Sequence, residues 1–209
     1  MIALRTAVFA VLVTWGALSF AGGSIEVLAK DSEGKAEGSV ALEYWDAQVN
    51  DYTRVTSKDL RHGRAFFKVV PGKYRLIIRY TETFPVQMQD MADVIVNEKD
   101  EVVLEPMFGK GWSEISTWDN DGGAEGLLFY ERWNDESQSY ELVTSREIRP
   151  RDARKVTPLA PGRYRVTFKN MEQLPNLEYG SAEIEIEGGI INVQQFHTKF
   201  GMSADDCKQ

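Results

Sequence analysis

Pro71-Gly72-Lys73-Tyr74-Arg75-Leu76-Ile77-Ile78-Arg79-Tyr80 is the stretch whose reading decides the fold. Tyr74, Leu76, Ile78 and Tyr80 alternate with Arg75, Ile77 and Arg79. Successive side chains of a β-strand point to opposite faces, so this spacing of two puts one set in a core and leaves the other mostly wet. The same text returns 90 positions later as Pro161-Gly162-Arg163-Tyr164-Arg165, followed by Val166, Thr167 and Phe168 in the same alternation. In both copies Pro-Gly suits the second and third positions of a type II turn, where the glycine takes a positive φ.

The repeat extends outward on both sides. Upstream, at an offset of 88, Asp31, Gly34, Glu43, Trp45 and Tyr52 match Asp119, Gly122, Glu131, Trp133 and Tyr140. Val55-Thr56-Ser57 likewise matches Val143-Thr144-Ser145. Downstream, at an offset of 90, Glu82, Pro85 and Ala92 match Glu172, Pro175 and Ala182, and each copy closes on Phe-Gly, at 108–109 and 200–201. Matches spread over a whole unit with only small insertions indicate a duplicated domain. Each unit reads as seven short strands, in the first near 24–30, 38–46, 52–57, 64–69, 73–81, 92–97 and 101–106. Such strands, regularly spaced with turn residues between them, predict an all-β protein of two tandem seven-stranded antiparallel Greek-key-like β-sandwiches. The expected divisions are a signal peptide at 1–21, repeat 1 at 22–110, repeat 2 at 111–201 and a flexible tail at 202–209. Glycine on both sides of Lys110 suggests a short hinge.

The leader rests on Arg5, the uncharged run from Ala7 to Leu18 and the Ser19-Phe20-Ala21 cleavage pattern. The run falls short of the ~20 apolar residues of a membrane helix, so the mature chain is not expected to span a membrane. Acidic residues outnumber basic ones 32 to 24, for a net charge of −8. That balance argues against nucleic acid, whose phosphates are bound by Lys and Arg. Cys207 is the only cysteine, so no intrachain disulfide exists. A periplasmic or extracellular location is expected.

With its D-x-x-G turn, aromatic-acid strand, P-G-[KR]-Y-R strand, proline-centred loop and closing F-G, the chain resembles carboxypeptidase regulatory-like, or transthyretin-like, β-sandwich repeats. It is especially similar to those that follow von Willebrand factor A domains in bacterial secreted proteins. The resemblance implies an accessory module that spaces, adheres or binds; here the pair is expected to do this without a von Willebrand domain or peptidase before it.

No G-x-S-x-G, H-E-x-x-H, P-loop or G-x-G-x-x-G motif occurs, and His62 and His197 fall at non-equivalent positions, so no enzyme and no cofactor is expected. Asp31, Asp119 and Asp121 are weak calcium candidates, because clustered carboxylates suit hard cations. The same Asp-rich text suits a tight turn, and that reading is favoured. Trp45 and Trp133, at equivalent positions, read as sandwich core, and Trp118 as exposed. The longest loops, 81–91 and 170–180, carry the apolar residues Phe84, Pro85, Met88, Leu174, Pro175 and Tyr179, which with Trp118 are the candidates for binding a protein partner. Adhesion to a cell-surface glycan through exposed tryptophans is the alternative.

Overall fold

The structure, a computed structural model, describes residues 22–119, 122–149, 151, 154–171 and 178–197. The expected leader, the tail, Asp121, Leu174 and Pro175 lie outside these residues.

The first half of the chain forms β1 (Gly23–Leu28), β2 (Lys30–Asp31), β3 (Gly34–Lys35), β4 (Gly38–Asp46), β5 (Asp51–Leu60), β6 (Arg64–Val69), β7 (Gly72–Tyr80), β8 (Gln87–Val96) and β9 (Glu101–Leu104). The second forms β10 (Gly111–Asp119), β11 (Gly122–Gly123), β12 (Gly126–Asn134), β13 (Ser139–Ile148), β14 (Arg154–Leu159), β15 (Gly162–Asn170), β16 (Glu178–Ile186) and β17 (Ile191–His197). A sheet ordered β5-β4-β7-β8 faces one ordered β6-β1-β9 across a core of Ile25, Val40, Leu42, Phe67, Leu76 and Ile78. The second half repeats the plan, with β13-β12-β15-β16 as one sheet and β14, β10 and β17 as the other.

The alternation of the opening stretch explains β7. Tyr74, Leu76, Ile78 and Tyr80 are all buried, while Lys73, Arg75 and Arg79 lie on the outer face. Burying such a set is worth about 1.5–3 kcal/mol per large side chain.

Four expectations need correction. β1 and β9 run parallel, as do β10 and β17, so the sheets are antiparallel except for one pair in each half. β8 begins at Gln87, so Met88 and Met91 belong to a strand and the first long loop shrinks to 81–86. Gly162 takes the expected positive φ, at 144°, but Gly72 does not; there a Cβ would lie 2.5 Å from the Tyr44 ring and push it aside. The neighbourhood of Lys110 is clamped: Lys110 Nζ lies 2.6 Å from Glu33, Ser32 donates to its carbonyl, and Gln87 donates to the Gly109 carbonyl at 2.6 Å.

The two cores differ in a coordinated way. Where the first half buries Ile25, Leu42 and Phe67, the second buries Ser113, Tyr130 and Thr157 at the equivalent positions. The tyrosine recovers only part of the volume that isoleucine and phenylalanine give up, and Phe84 from the first half packs against this second core.

Candidate docking site

In each half the edge strand of one sheet faces the edge strand of the other, β5 against β6 and β13 against β14. A bulge after Leu42 leaves Val55 unpaired on β5, and the equivalent bulge after Tyr130 leaves Val143 unpaired on β13. The irregularity turns a valine toward the gap between the sheets, as bulges do when they re-aim a side chain. In the first half this gap is an apolar cleft of about 400 Å³, lined by Leu42, Val55, Phe67, Val69, Val70 and Tyr74. Lys58 spans it, donating to the Phe66 carbonyl at 2.5 Å with its ammonium 5.1 Å from the Phe67 ring centre.

In the second half the corresponding gap is filled by the first half's own loop. Phe84 packs against the second core beside Val143, and the Arg146 guanidinium lies 4.3 Å from its ring centre. The Phe84 N–H donates to the Pro158 carbonyl at 3.2 Å, and the Ala160 N–H donates to the Phe84 carbonyl at 3.1 Å, so the loop adds a short parallel bridge to the edge of β14. The Tyr164 hydroxyl lies 2.8 Å from the Ala160 carbonyl and 3.1 Å from that of Phe84. Burial pushes this phenol's pKa up, so it stays a neutral donor. A strand edge with unmet N–H and C=O groups and a pocket for one large side chain is the usual recipe for recognising an extended peptide.

Exposure records the difference between the two gaps. Val70 is 52% exposed where its counterpart Ala160 is 1% exposed, and Val69 is half-buried where Leu159 is fully buried.

The other candidates are placed as follows. Pro85 follows Phe84 through a cis peptide bond and lines a shallow groove with Arg132, Trp133 and Val143. Met88 stands on the outer side of β8, 67% exposed, and Trp118 is 41% exposed on β10. Tyr179 falls in β16 and Asp119 at the end of β10. Asp31 is buried, with Oδ1 accepting from the N–H groups of Glu33 and Gly34 at 2.8 and 3.0 Å and Oδ2 from the Tyr80 hydroxyl at 2.5 Å. Its carboxylate is thus committed to closing the β2–β3 turn and to satisfying a buried phenol.

Trp45 and Trp133 are not core, contrary to expectation. Both are half-buried on the outer faces of their sheets. Trp45 meets Tyr52 edge to face with ring centres 5.1 Å apart and carries the Lys73 ammonium at 4.9 Å. Trp133 repeats this with Tyr140, at 5.1 Å, and the Arg163 guanidinium, at 4.2 Å. Carboxylates complete the first cluster. Lys73 lies 2.5 Å from Asp93, which also accepts from Tyr52, and Arg75 pairs with Asp90. Lys73 and Tyr52 hold the Asp93 carboxyl below its ordinary range, and Arg75 does the same for Asp90. Strand parity was the available signal: Trp45 shares its face with Glu43, not with Leu42.

No known protein family and no curated protein matches this chain. Among solved structures it is similar to a candidate adhesin of Bacteroides ovatus, at 10% identity over 99% of this chain and 96% of that one, with a TM-score of 0.46. It is also similar to the minor pilin of Streptococcus agalactiae, at 13% identity over 87% and 97% of the two chains with a TM-score of 0.42. The tip fimbrial protein of Porphyromonas gingivalis matches at 8% identity over 87% and 96%, with a TM-score of 0.41.

Proposed function

We propose that this chain is an exported, non-catalytic binding or assembly module, acting in the periplasm or outside the cell, that engages a protein partner at the cleft between β5 and β6. The partner offers what the second cleft already receives: an extended loop with an apolar side chain followed by proline. The observation that carries the reading is Phe84, seated in the second cleft by two backbone hydrogen bonds while the first cleft stays open. Carboxypeptidase regulatory-like modules, to which the sequence bears a resemblance, are accessory binding parts of the same kind. Glycan adhesion is less well supported, because the rings of Trp45 and Trp133 are already engaged by cations and by tyrosine edges.

The test is titration of the 15N-labelled chain with a synthetic peptide of residues 172–177, Glu-Gln-Leu-Pro-Asn-Leu, which offers an apolar side chain followed by proline. Saturable shifts are expected at Val55, Val69 and Val70, and Val70→Asp is expected to abolish them. Shifts confined to other surfaces, or none at millimolar peptide, would refute the cleft as a docking site.

A further inference from the structure

We infer that the occupant of the first cleft is a second copy of this chain, offering its own loop around Leu174-Pro175, so that molecules join head to tail. The inference rests on the reading of that cleft as a docking site and names its partner.

The argument begins with the repeat. At the offset of 90 that relates β6, β7 and β9 to β14, β15 and β17, Phe84-Pro85 corresponds to Leu174-Pro175. The chain therefore contains two clefts and two proline loops, and one loop fills one cleft internally. Among the described residues the first cleft stays open, and the sequence of the second half carries the Leu174-Pro175 counterpart of the loop that fills the other. A contact between unlike surfaces that is satisfied once within a chain and left half-satisfied at each end repeats from molecule to molecule.

Size and charge agree with this pairing rather than with a second phenylalanine loop. The position that lines the first cleft as Phe67 is Thr157 in the second. The cleft with the small residue takes the large Phe84; the cleft that already holds a phenylalanine has room for the smaller leucine. The cation follows the ring: Arg146 lies over Phe84, whereas its counterpart Lys58 lies over Phe67. The first cleft thus supplies its own aromatic partner for the lysine, and an aliphatic side chain completes it. Lys58 and Lys68 rim this cleft, and Glu172 and Glu178 flank Leu174-Pro175 in the sequence. Opposite charges around an apolar centre favour this encounter. On the β6 edge, the Lys68 carbonyl and Val70 N–H stand where Pro158 and Ala160 hold Phe84.

The experiment uses the chain from Gly22 onward, which carries every described strand, in two variants. Val70→Asp places a charge in the open cleft and leaves the loop; Leu174→Asp spoils the loop and leaves the cleft. Val70 is half exposed, and circular dichroism is used to check that each variant keeps the fold of the unmodified chain. In analytical ultracentrifugation the unmodified chain is expected to form concentration-dependent oligomers and each variant to stay monomeric. An equimolar mixture of the variants is expected to give a species of about twice the monomer mass, because one intact loop then meets one intact cleft. A mixture that stays monomeric, or a Leu174→Asp chain that oligomerises like the unmodified one, overturns the inference. If the chain is monomeric throughout but the 172–177 peptide still binds at Val70, the cleft stands as a docking site and only the second copy as its partner falls.

Discussion

Phe84→Ala removes the side chain that joins the two halves, and its effect follows from the geometry. A phenylalanine fully enclosed buries about 150–250 Å². Phe84 is half-buried, so about 100 Å² at about 25 cal/mol per Å² gives ~2.5 kcal/mol. The Arg146 guanidinium on the ring adds about 0.5–1 kcal/mol, and the alanine methyl recovers a similar amount. The net loss, about 2–3 kcal/mol, is below the 3–5 kcal/mol typical of a fully buried Phe→Ala change, as partial burial requires. The backbone hydrogen bonds of residue 84 survive the substitution, so the loop still docks but opens more often. Hydrogen exchange at the Ala160 amide reads this opening directly, because that N–H is held by the Phe84 carbonyl. Its exchange rate should rise about 30- to 150-fold, since each 1.4 kcal/mol is a factor of ten. Core amides such as Val166 should change far less. An Ala160 rate altered less than about threefold, or an equal rise at Val166, would show that Phe84 does not hold the two halves together.

Two further outcomes are expected. Asp31→Ala leaves the Tyr80 hydroxyl buried without its acceptor and two turn N–H groups unmet; urea unfolding should show a loss of about 2–3 kcal/mol. Combination with Tyr80→Phe should be less than additive. The Asp93 and Asp90 carboxyls titrate below their ordinary value of 3.8 in the folded chain, so the stability they contribute is fully present above that value and is lost as pH falls through the lower folded values. Asp90→Asn with Asp93→Asn should therefore lower the melting temperature at neutral pH, and the gap from the unmodified chain should close in strong acid.

Much of this architecture was legible because strands with one wet face announce themselves. β4, β6, β7 and β9 fall close to where the alternation places them, and the duplication supplies each reading twice. β8 was placed five residues late because its first turn, Gln87-Met88-Gln89-Asp90-Met91, lies at a sheet edge and buries little, so its apolar signal is weak. The parallel pairing of β1 with β9 brings together segments more than seventy residues apart, and local pattern carries no information about such a pairing. Trp45 and Trp133 were misread by residue type, although their parity with Glu43 and Glu131 pointed outward. The seat of Phe84 depends on how the two halves face each other. What the sequence does contain is its shadow, in the exchange of Phe67 for Thr157 and of Lys58 for Arg146.

The coordinated exchange of Ile25, Leu42 and Phe67 for Ser113, Tyr130 and Thr157 bears on the history of the gene. Tandem copies invite recombination, which overwrites one repeat with stretches of the other. A tract that carried only the segment around Tyr130 into the first repeat would set a tyrosine against Ile25 and Phe67 and overfill that interior; the reverse transfer would put a leucine at position 130 against Ser113 and Thr157 and leave a void. Partial conversions should thus cost stability in both directions, by about 1–3 kcal/mol for the overfilled interior. The three positions form a set that each repeat must keep whole, a constraint that favours divergence of the duplicates over their homogenisation.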